Sequence, residues 1–393
     1  MEGINVKQIL EIIPDEFIEK LEKNCNINHQ VKKMSGKVMF KLLLMGILDG
    51  DNLTQRTLAS IYNSPEFTQY ADKGEQQTRH TTISDRLINM DYKFFEKLFE
   101  EISKKFEKVL KIGATKMKVV LKRFDSTLVG ISEKLLKFGI KAGSPDERHI
   151  KFTVGLKGLL PNKVSVYEEQ KASSEDVALG ETILQETTSK NQILLFDRGV
   201  QKRETYSKLI DKNTNFVSRL RQNTKYQVIR QNKEVEGIKV GNLVLECDEI
   251  VKLYGKGGDI LEKELRLIKA INQKNEVFLF ITNMYNFTAE EITEFYARRW
   301  DIEVFFRFIK QEFGFSHFVS RSKNGIMNML YMTLITSILV IVYKSKNSIK
   351  SYKEAKRRFI AELDELILIE LAIAIGGDVD LLKKKYLNYY KYS

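Results

Sequence analysis

The chain has 393 residues, 43% of them hydrophobic, so it can bury a substantial core, and its length favours two or three domains over one. Sixty-four Lys and Arg against 52 Asp and Glu give a formal charge of +12. The basic residues are spread along the whole length, which favours a polyanionic partner met over a broad surface rather than through one basic tail; ordinary solubility charge is the alternative. Cys25 and Cys247 are the only cysteines and stand far apart, which excludes a disulfide framework or a zinc site and points to a reducing cytoplasm.

Residues Met1 to Asp15 carry acids and no long apolar segment, so no signal peptide is evident. From Val6 to about Leu110, apolar residues recur at three- and four-residue spacings, as in Phe94-Phe95-Leu98-Phe99-Ile102, and predict several short helices. Two of these, Thr54 to Asn63 and Thr81 to Met90, open on hydroxyl residues suited to capping and carry Arg56 and Arg86. They fit either a small DNA-binding domain or a structural helical cap. The texture changes near Ala114. Lys116 to Phe124 is rich in β-formers and is expected to end at Asp125-Ser-Thr127, while His149 to Lys157 and Lys163 to Glu169 alternate with period two. A helix from about Glu175 to Lys190 precedes the short apolar strand Gln192 to Phe196, which stops at Asp197-Arg-Gly199. Another helix and the strand Asn215 to Leu220 follow. The order β-β-β-α-β-α-β predicts a mixed α/β sheet flanked by helices. Residues 226 to 283 show repeated short alternating runs and read as a β-rich insertion, in which Gly255 to Gly258 is a turn rather than a phosphate loop. Thr288-Ala-Glu-Glu then opens a long helix. The span Asn324 to Tyr343 has membrane-helix length but is diluted by Asn, Gly, Ser and Thr, and reads as a buried core helix. The basic, tyrosine-rich tail Lys383 to Tyr392 reads as a solvated terminus, with contact to DNA as the alternative.

A regular helix through Tyr296 to Lys310 places Tyr296, Arg299, Glu303 and Lys310 within about 60° of arc. Glu303 is then the one carboxylate on a face suited to gripping phosphate. Asp125 and Asp197 each follow an apolar strand and precede a turn, where a side chain can project into a cleft. Alone, each is ordinarily a turn or cap residue. Together with Glu303 they form an oxygen ligand set for hard divalent ions such as magnesium, two of them about 4 Å apart, suited to in-line attack on a phosphodiester. His29, His80, His149 and His317 have no such companions, and Trp300 reads as core packing rather than a base-stacking platform.

Tyr296, Arg299, Glu303 and Lys310 match the Y-(2)-R-(3)-E-(6)-K signature of bacterial DDE transposases of the cut-and-paste insertion-sequence type, and Asp125-Ser-Thr and Asp197-Arg-Gly resemble that family's aspartate motifs. The resemblance runs from about Lys116 to Tyr343. It implies an RNase H-like catalytic domain interrupted by a β-rich insertion, with Asp125, Asp197 and Glu303 as the catalytic, metal-binding triad and Tyr296, Arg299 and Lys310 as DNA-binding residues. It further implies two Mg2+ ions, with Mn2+ able to substitute, double-stranded DNA partners (inverted-repeat ends and target), and a homodimer in a synaptic complex near the bacterial nucleoid. The reaction implied is nicking beside terminal inverted repeats, release through a hairpinned end and strand transfer. Alternatives on the same fold are a nuclease without strand transfer and a transposase-derived DNA-binding protein. The chain then divides into a helical N-terminal domain expected to bind DNA (1–112), catalytic segments at 113–221 and 286–345 flanking a β-rich insertion at 222–285, and a helical C-terminal region suited to dimerisation or DNA contact (346–393). Val200 departs from the family pattern, which often has tyrosine after Asp-Arg-Gly; this bears on local packing or DNA contact.

Overall fold

The computed structural model describes residues 3–50, 53–112, 119–132, 139–141, 147–186, 189, 191–255, 257–315, 318–320, 322–382 and 384. The expected strand start at 116–118, His317 and nearly all of the tail at 383–392 lie outside the described residues. Among the described residues seven helices come first: α1 (Val6–Glu11), α2 (Asp15–Cys25), α3 (Gly36–Asp49), α4 (Gln55–Asn63), α5 (Pro65–Ala71), α6 (His80–Asn89) and α7 (Lys93–Val109). Then follow β1 (Val120–Ser132), β2 (Ile140–Lys141), β3 (Glu147–Lys157), β4 (Leu160–Tyr167), α8 (Glu175–Leu184), β5 (Gln192–Leu195), α9 (Arg203–Asp211) and β6 (Asn215–Leu220). Strands β7 (Tyr226–Lys233), β8 (Lys239–Val240), β9 (Leu243–Leu253), β10 (Leu265–Asn272) and β11 (Val277–Thr282) lead to α10 (Ala289–Ala297), α11 (Trp300–Glu312), α12 (Lys323–Lys346) and α13 (Tyr352–Ala374). The chain forms two compact units, Lys111–Phe306 and the combination of Met1–Leu110 with Arg307–Ser393.

The second of these units is helical. Helix α12 is apolar on every side, and such a helix must be enclosed on every side. Its residues from Gly325 to Tyr343 are all buried, with α3, α6, α7 and α13 packed around it. It is long and apolar enough to cross a membrane, yet that apolar stretch lies entirely inside the protein. Several of its polar groups are paired within the core: Asn328 Nδ2 donates to the Met90 carbonyl at 3.1 Å and Tyr331 OH to Glu96 at 2.6 Å. Thr54 caps α4 as its sequence suggests, accepting from Thr57 N at 3.0 Å. Thr81 does not cap α6, which begins one residue earlier behind Arg79. Arg56 is exposed, whereas Arg86 is a structural clamp. Its Nε donates to the Met34 carbonyl (2.9 Å) and Nη2 to that of Ile27 (3.1 Å), and burial pulls its pKa down to about 10.

Among the described residues the other unit is built on one 11-stranded sheet in the order β2-β3-β1-β5-β6-β11-β10-β9-β7, with β4 paired to β3 and β8 to β9. Its first part, β4-β3-β1-β5-β6, is an RNase H-like mixed sheet: β3 runs antiparallel to β1, and β5 and β6 run parallel. The β-rich segment after β6 continues this sheet through antiparallel pairing of β11 to β6. Period-two alternation gives the sheet two apolar faces. Phe124, Leu194, Phe196 and Phe216 face α8 and α9 along with Leu179, Ile183 and Leu209. Leu121, Ile193, Leu195 and Val217 face the other way, against Ala289, Ile292 and Phe295 of α10. Val200 is buried in the first core, where Tyr206 OH donates to its carbonyl at 3.1 Å, so its departure from the family pattern is absorbed as packing.

Candidate active site

The parallel register of β1 and β5 pairs Leu121 with Ile193 and Arg123 with Leu195. Two residues further along each segment stand Asp125 and Asp197. By the same alternation, both continue the rows that face α10, at adjacent positions beyond the carboxyl end of the parallel pair, where open α/β sheets characteristically bind ligands. Asp125 is not at a strand end as expected. β1 runs on to Ser132 because β3 keeps pairing with it after β5 has turned away, with Asp125 opposite Val154. What ends at this point is only the parallel pairing. The Asp125 carboxylate accepts from Ser126 N at 2.8 Å and that of Asp197 from Gly199 N at 2.7 Å, which fixes one oxygen of each. Burial pushes the Asp125 carboxyl up to about 7. The negative charges of Asp197 and Glu175 add to that rise, while the Ser126 amide and Arg299 oppose it.

The expected continuous helix through Tyr296 and Lys310 is broken. α10 ends at Ala297 and α11 starts at Trp300, joined by a tight turn in which Arg299 N bonds to the Tyr296 carbonyl (2.9 Å) and Ile302 N to that of Arg299 (3.2 Å). The cause is visible on β1. The buried guanidinium of Arg123 donates through Nε to the Arg298 carbonyl at 2.7 Å and pairs through Nη2 with Asp301 at 2.9 Å, while Nη1 donates to the Gly158 carbonyl at 2.6 Å. A helix carbonyl drawn to a side chain on the sheet, with the neighbouring aspartate held by the same cation, anchors the junction two residues from Asp125.

The break leaves the key contacts of the stripe in place. Arg299 Nη2 is ion-paired with Glu303, four residues on, and its guanidinium lies 5.8 Å from the centre of the Tyr296 ring. Tyr296 packs on Phe280 of β11 at 5.0 Å. Burial raises its phenol to about 12, with the charge of Asp197 adding, so it remains a neutral donor at physiological pH. Arg219, on the same face of β6, stacks its guanidinium 4.0 Å from the Phe278 ring and acts electrostatically on Tyr296. Asp125, Asp197, Tyr296 and Arg299 thus share one electrostatic neighbourhood, and Glu303 is tied to it through Arg299. Lys310 is exposed two turns further along α11, on the helix face of Glu303.

The donor chemistry fits a hard divalent cation. Two carboxylates meet in a confined setting, and the raised value of Asp125 marks negative charge that a cation would neutralise. Among the described residues no three acids, histidines or cysteines are already gathered at metal-holding spacing, and the Glu303 carboxylate is engaged by Arg299. A third acid near the pair is Glu175, the first residue of α8. It pairs with buried Lys151 at 2.7 Å, while its Oε2 is buried with no hydrogen-bond partner among the described residues. A Cβ on Gly199 would lie 2.8 Å from both Glu175 Cγ and Asp197 Oδ1, so only glycine lets these two acids flank that turn. Sequence reasoning passes over Arg123, Glu175 and Arg219, whose roles depend on sheet register; the one available signal is charge within otherwise apolar strands at Arg123 and Arg219. Trp300, expected in the core, is instead 53% exposed.

The sequence matches the model of the Transposase DDE domain over residues 124–339. It is 23% identical over 291 residues to the probable transposase for insertion sequence element IS5377 of Geobacillus stearothermophilus, covering 72% of this chain and 73% of that protein. The fold resembles that of piggyBac transposase in a synaptic complex with hairpin DNA, with a TM-score of 0.50 at 13% identity over 98% of this chain and 85% of the other. With the matched region spanning both aspartates, the junction and Glu303, the chain belongs to the DDE transposase family and is a DNA transposase.

Proposed function

We propose that this transposase cuts DNA beside the terminal inverted repeats of its element and joins the freed ends to target DNA, with Asp125, Asp197 and Glu303 as the acidic triad. The observation that carries the reading is the placement of Asp125 and Asp197 at matching positions of a parallel pair, facing α10, with the Arg123-anchored junction bringing Arg299 and Glu303 to the same neighbourhood. Two magnesium ions, for which manganese would substitute, would be held by the three acids and supply activation of a water or 3′-hydroxyl and neutralisation of charge on the leaving oxygen. The residues of the chain do the rest. Arg299 and Lys310 neutralise phosphate oxygens, and the Tyr296 phenol, kept protonated by burial, donates a hydrogen bond to the same backbone. When Arg299 turns to a DNA phosphate it releases Glu303, so substrate binding and completion of the acidic triad are coupled in one side chain. The double-stranded partners are the inverted-repeat ends and the target. A homodimer holding two ends, with release through a hairpin, is supported by the resemblance to a transposase captured in a synaptic complex with hairpin DNA.

The test supplies purified protein and magnesium with precleaved inverted-repeat ends and a supercoiled target plasmid. Joined ends flanked by short target duplications support transposition; cleavage without joining would reduce the activity to that of a nuclease, and binding without either to a DNA-binding protein. Arg299→Ala and Lys310→Ala should lower end processing far more than thermal stability.

A further inference from the structure

Beside Asp197 lies a groove lined by Arg198, Arg221 and Asn223. Arg221 and Asn223 also line a larger groove of about 1280 Å3, formed by the start of α9, the turn between β6 and β7 and the loop after β9. Among the described residues its lining holds five cations, Lys202, Arg203, Lys208, Arg221 and Lys225, against one acid, Glu204. Among the described residues none of these five takes part in an ion pair. Arg203 is the most telling: its Nη2 reaches Thr224 Oγ1 at 3.4 Å, but Nη1 is buried with no hydrogen-bond partner among the described residues. A buried donor left open is costly unless an acceptor arrives. Between the cations stand two half-buried aromatic rings, Tyr226 and Tyr254. Tyr254 N donates to the Lys225 carbonyl at 3.2 Å, which brings the residues just before β7 and just after β9 together in the groove lining. The groove edge is held firm by Asp176, whose Oδ1 accepts from Lys202 N at 2.7 Å.

We propose that this continuous groove seats an unpaired segment of DNA strand leading away from the phosphodiester at Asp197, its phosphates on the lysines and arginines and its bases against Tyr226 and Tyr254. The inference rests on the transposase reading of the Asp197 site and adds to it a path for one strand. Duplex phosphates would be met equally well by a smooth basic surface. Aromatic rings interleaved with cations serve a strand whose bases are free to stack, and such channels take several nucleotides. A strand of this kind arises at any step that separates the two strands at the cut end.

The test measures fluorescence anisotropy of full-length protein with two inverted-repeat duplexes, one blunt and one carrying a single-stranded extension of about six nucleotides at the cleavage end. Lys202 and Lys208 are exposed, so Lys202→Glu/Lys208→Glu leaves the fold intact; Lys239→Glu/Lys274→Glu, outside the groove, is the control. The groove variant should bind the extended duplex at least tenfold more weakly and the blunt duplex nearly normally. Its plot of log affinity against log salt for the extended duplex should flatten by about 1.4, at about 0.7 for each single-strand phosphate no longer neutralised. Tyr254→Ala should weaken the extended duplex alone by at least about fivefold, as expected when one base stack is removed. Equal weakening on both probes would show that duplex occupies the groove and overturn the proposal. So would unchanged binding of both. In both cases cleavage of element ends by the wild-type protein would leave the transposase reading standing, whereas failure of the wild type to cut would remove that reading itself.

Discussion

Arg123 offers the sharpest test of how the site is assembled. Replacing it with methionine keeps the aliphatic stem but removes the cation that ties β1 to the α10–α11 junction. Arg123 is 5% exposed, and its guanidinium serves two carbonyls and one carboxylate at 2.6–2.9 Å. Breaking a buried ion pair costs about 3–5 kcal/mol. Asp301 keeps 31% of its side-chain exposure and can recover some hydration, so the lower end applies, about 3 kcal/mol. A double-mutant cycle of Arg123→Met with Asp301→Asn in urea unfolding should show coupling of about 1–2 kcal/mol, the remainder belonging to the Arg298 and Gly158 carbonyls. Because the junction positions Arg299 and Glu303, end cleavage at a temperature where the variant is folded should fall at least about a hundredfold, as misplacement of reacting groups by about 1 Å does. A destabilisation under about 1 kcal/mol with unchanged cleavage would refute the role given to Arg123.

Asp125 gives a pH signature. Its folded value of about 7 exceeds its ordinary 3.8, so the folded state binds this proton more tightly than the unfolded chain does. The resulting stabilisation is complete below about pH 4 and is lost as pH rises through about 7, to the extent of about 2–4 kcal/mol. Without divalent cations, unfolding of Asp125→Asn compared with wild type should therefore show the wild type losing ground between about pH 4 and 7, and magnesium should restore the wild type more at about pH 8 than at about pH 5.5. Glu175→Gln removes a charge that raises Asp125 and should move the acidic limb of the cleavage pH profile downward, while depriving buried Lys151 of its partner lowers the melting temperature. Arg266→Met breaks a fully buried bidentate pair with Asp248, at 2.9 and 2.8 Å, and orphans its bonds to the Met284 and Phe287 carbonyls. Calorimetry should register a destabilisation of about 3–5 kcal/mol.

Much of this is legible in the chain itself. The mixed sheet, the β-rich segment and the core helix at Asn324 to Tyr343 follow from periodicity, which burial on one face or on all faces imposes locally. Residue spacing singles out Asp125, Asp197 and the Tyr296-to-Lys310 stripe, while the local sequence does not reveal that the stripe's helix breaks. The break at Arg298 and Arg299 is made by Arg123, 175 residues before Arg298, and no helix propensity in the stripe encodes it. Asp125 reads as a strand end because a turn-like Asp-Ser-Thr begins there, but pairing with β3 overrides that local preference. Arg86 suits a DNA contact by its place in a segment that opens on hydroxyl residues, yet the carbonyls of Met34 and Ile27 claim its guanidinium. Trp300 shows the converse: a large apolar ring next to Arg299 is assigned to the core by composition and stands in solvent because the junction turns it outward.

The central claim is that Asp125 and Asp197 on the sheet and Glu303 on α11 act as one centre. Cleavage of labelled inverted-repeat ends in magnesium by the wild type and by Asp125→Ala, Asp197→Ala and Glu303→Ala, each confirmed folded by its melting temperature, tests this most directly. All three single substitutions should abolish cutting while end binding persists. Retained cleavage in any one of them would contradict the assignment of that residue and, with it, the shared centre.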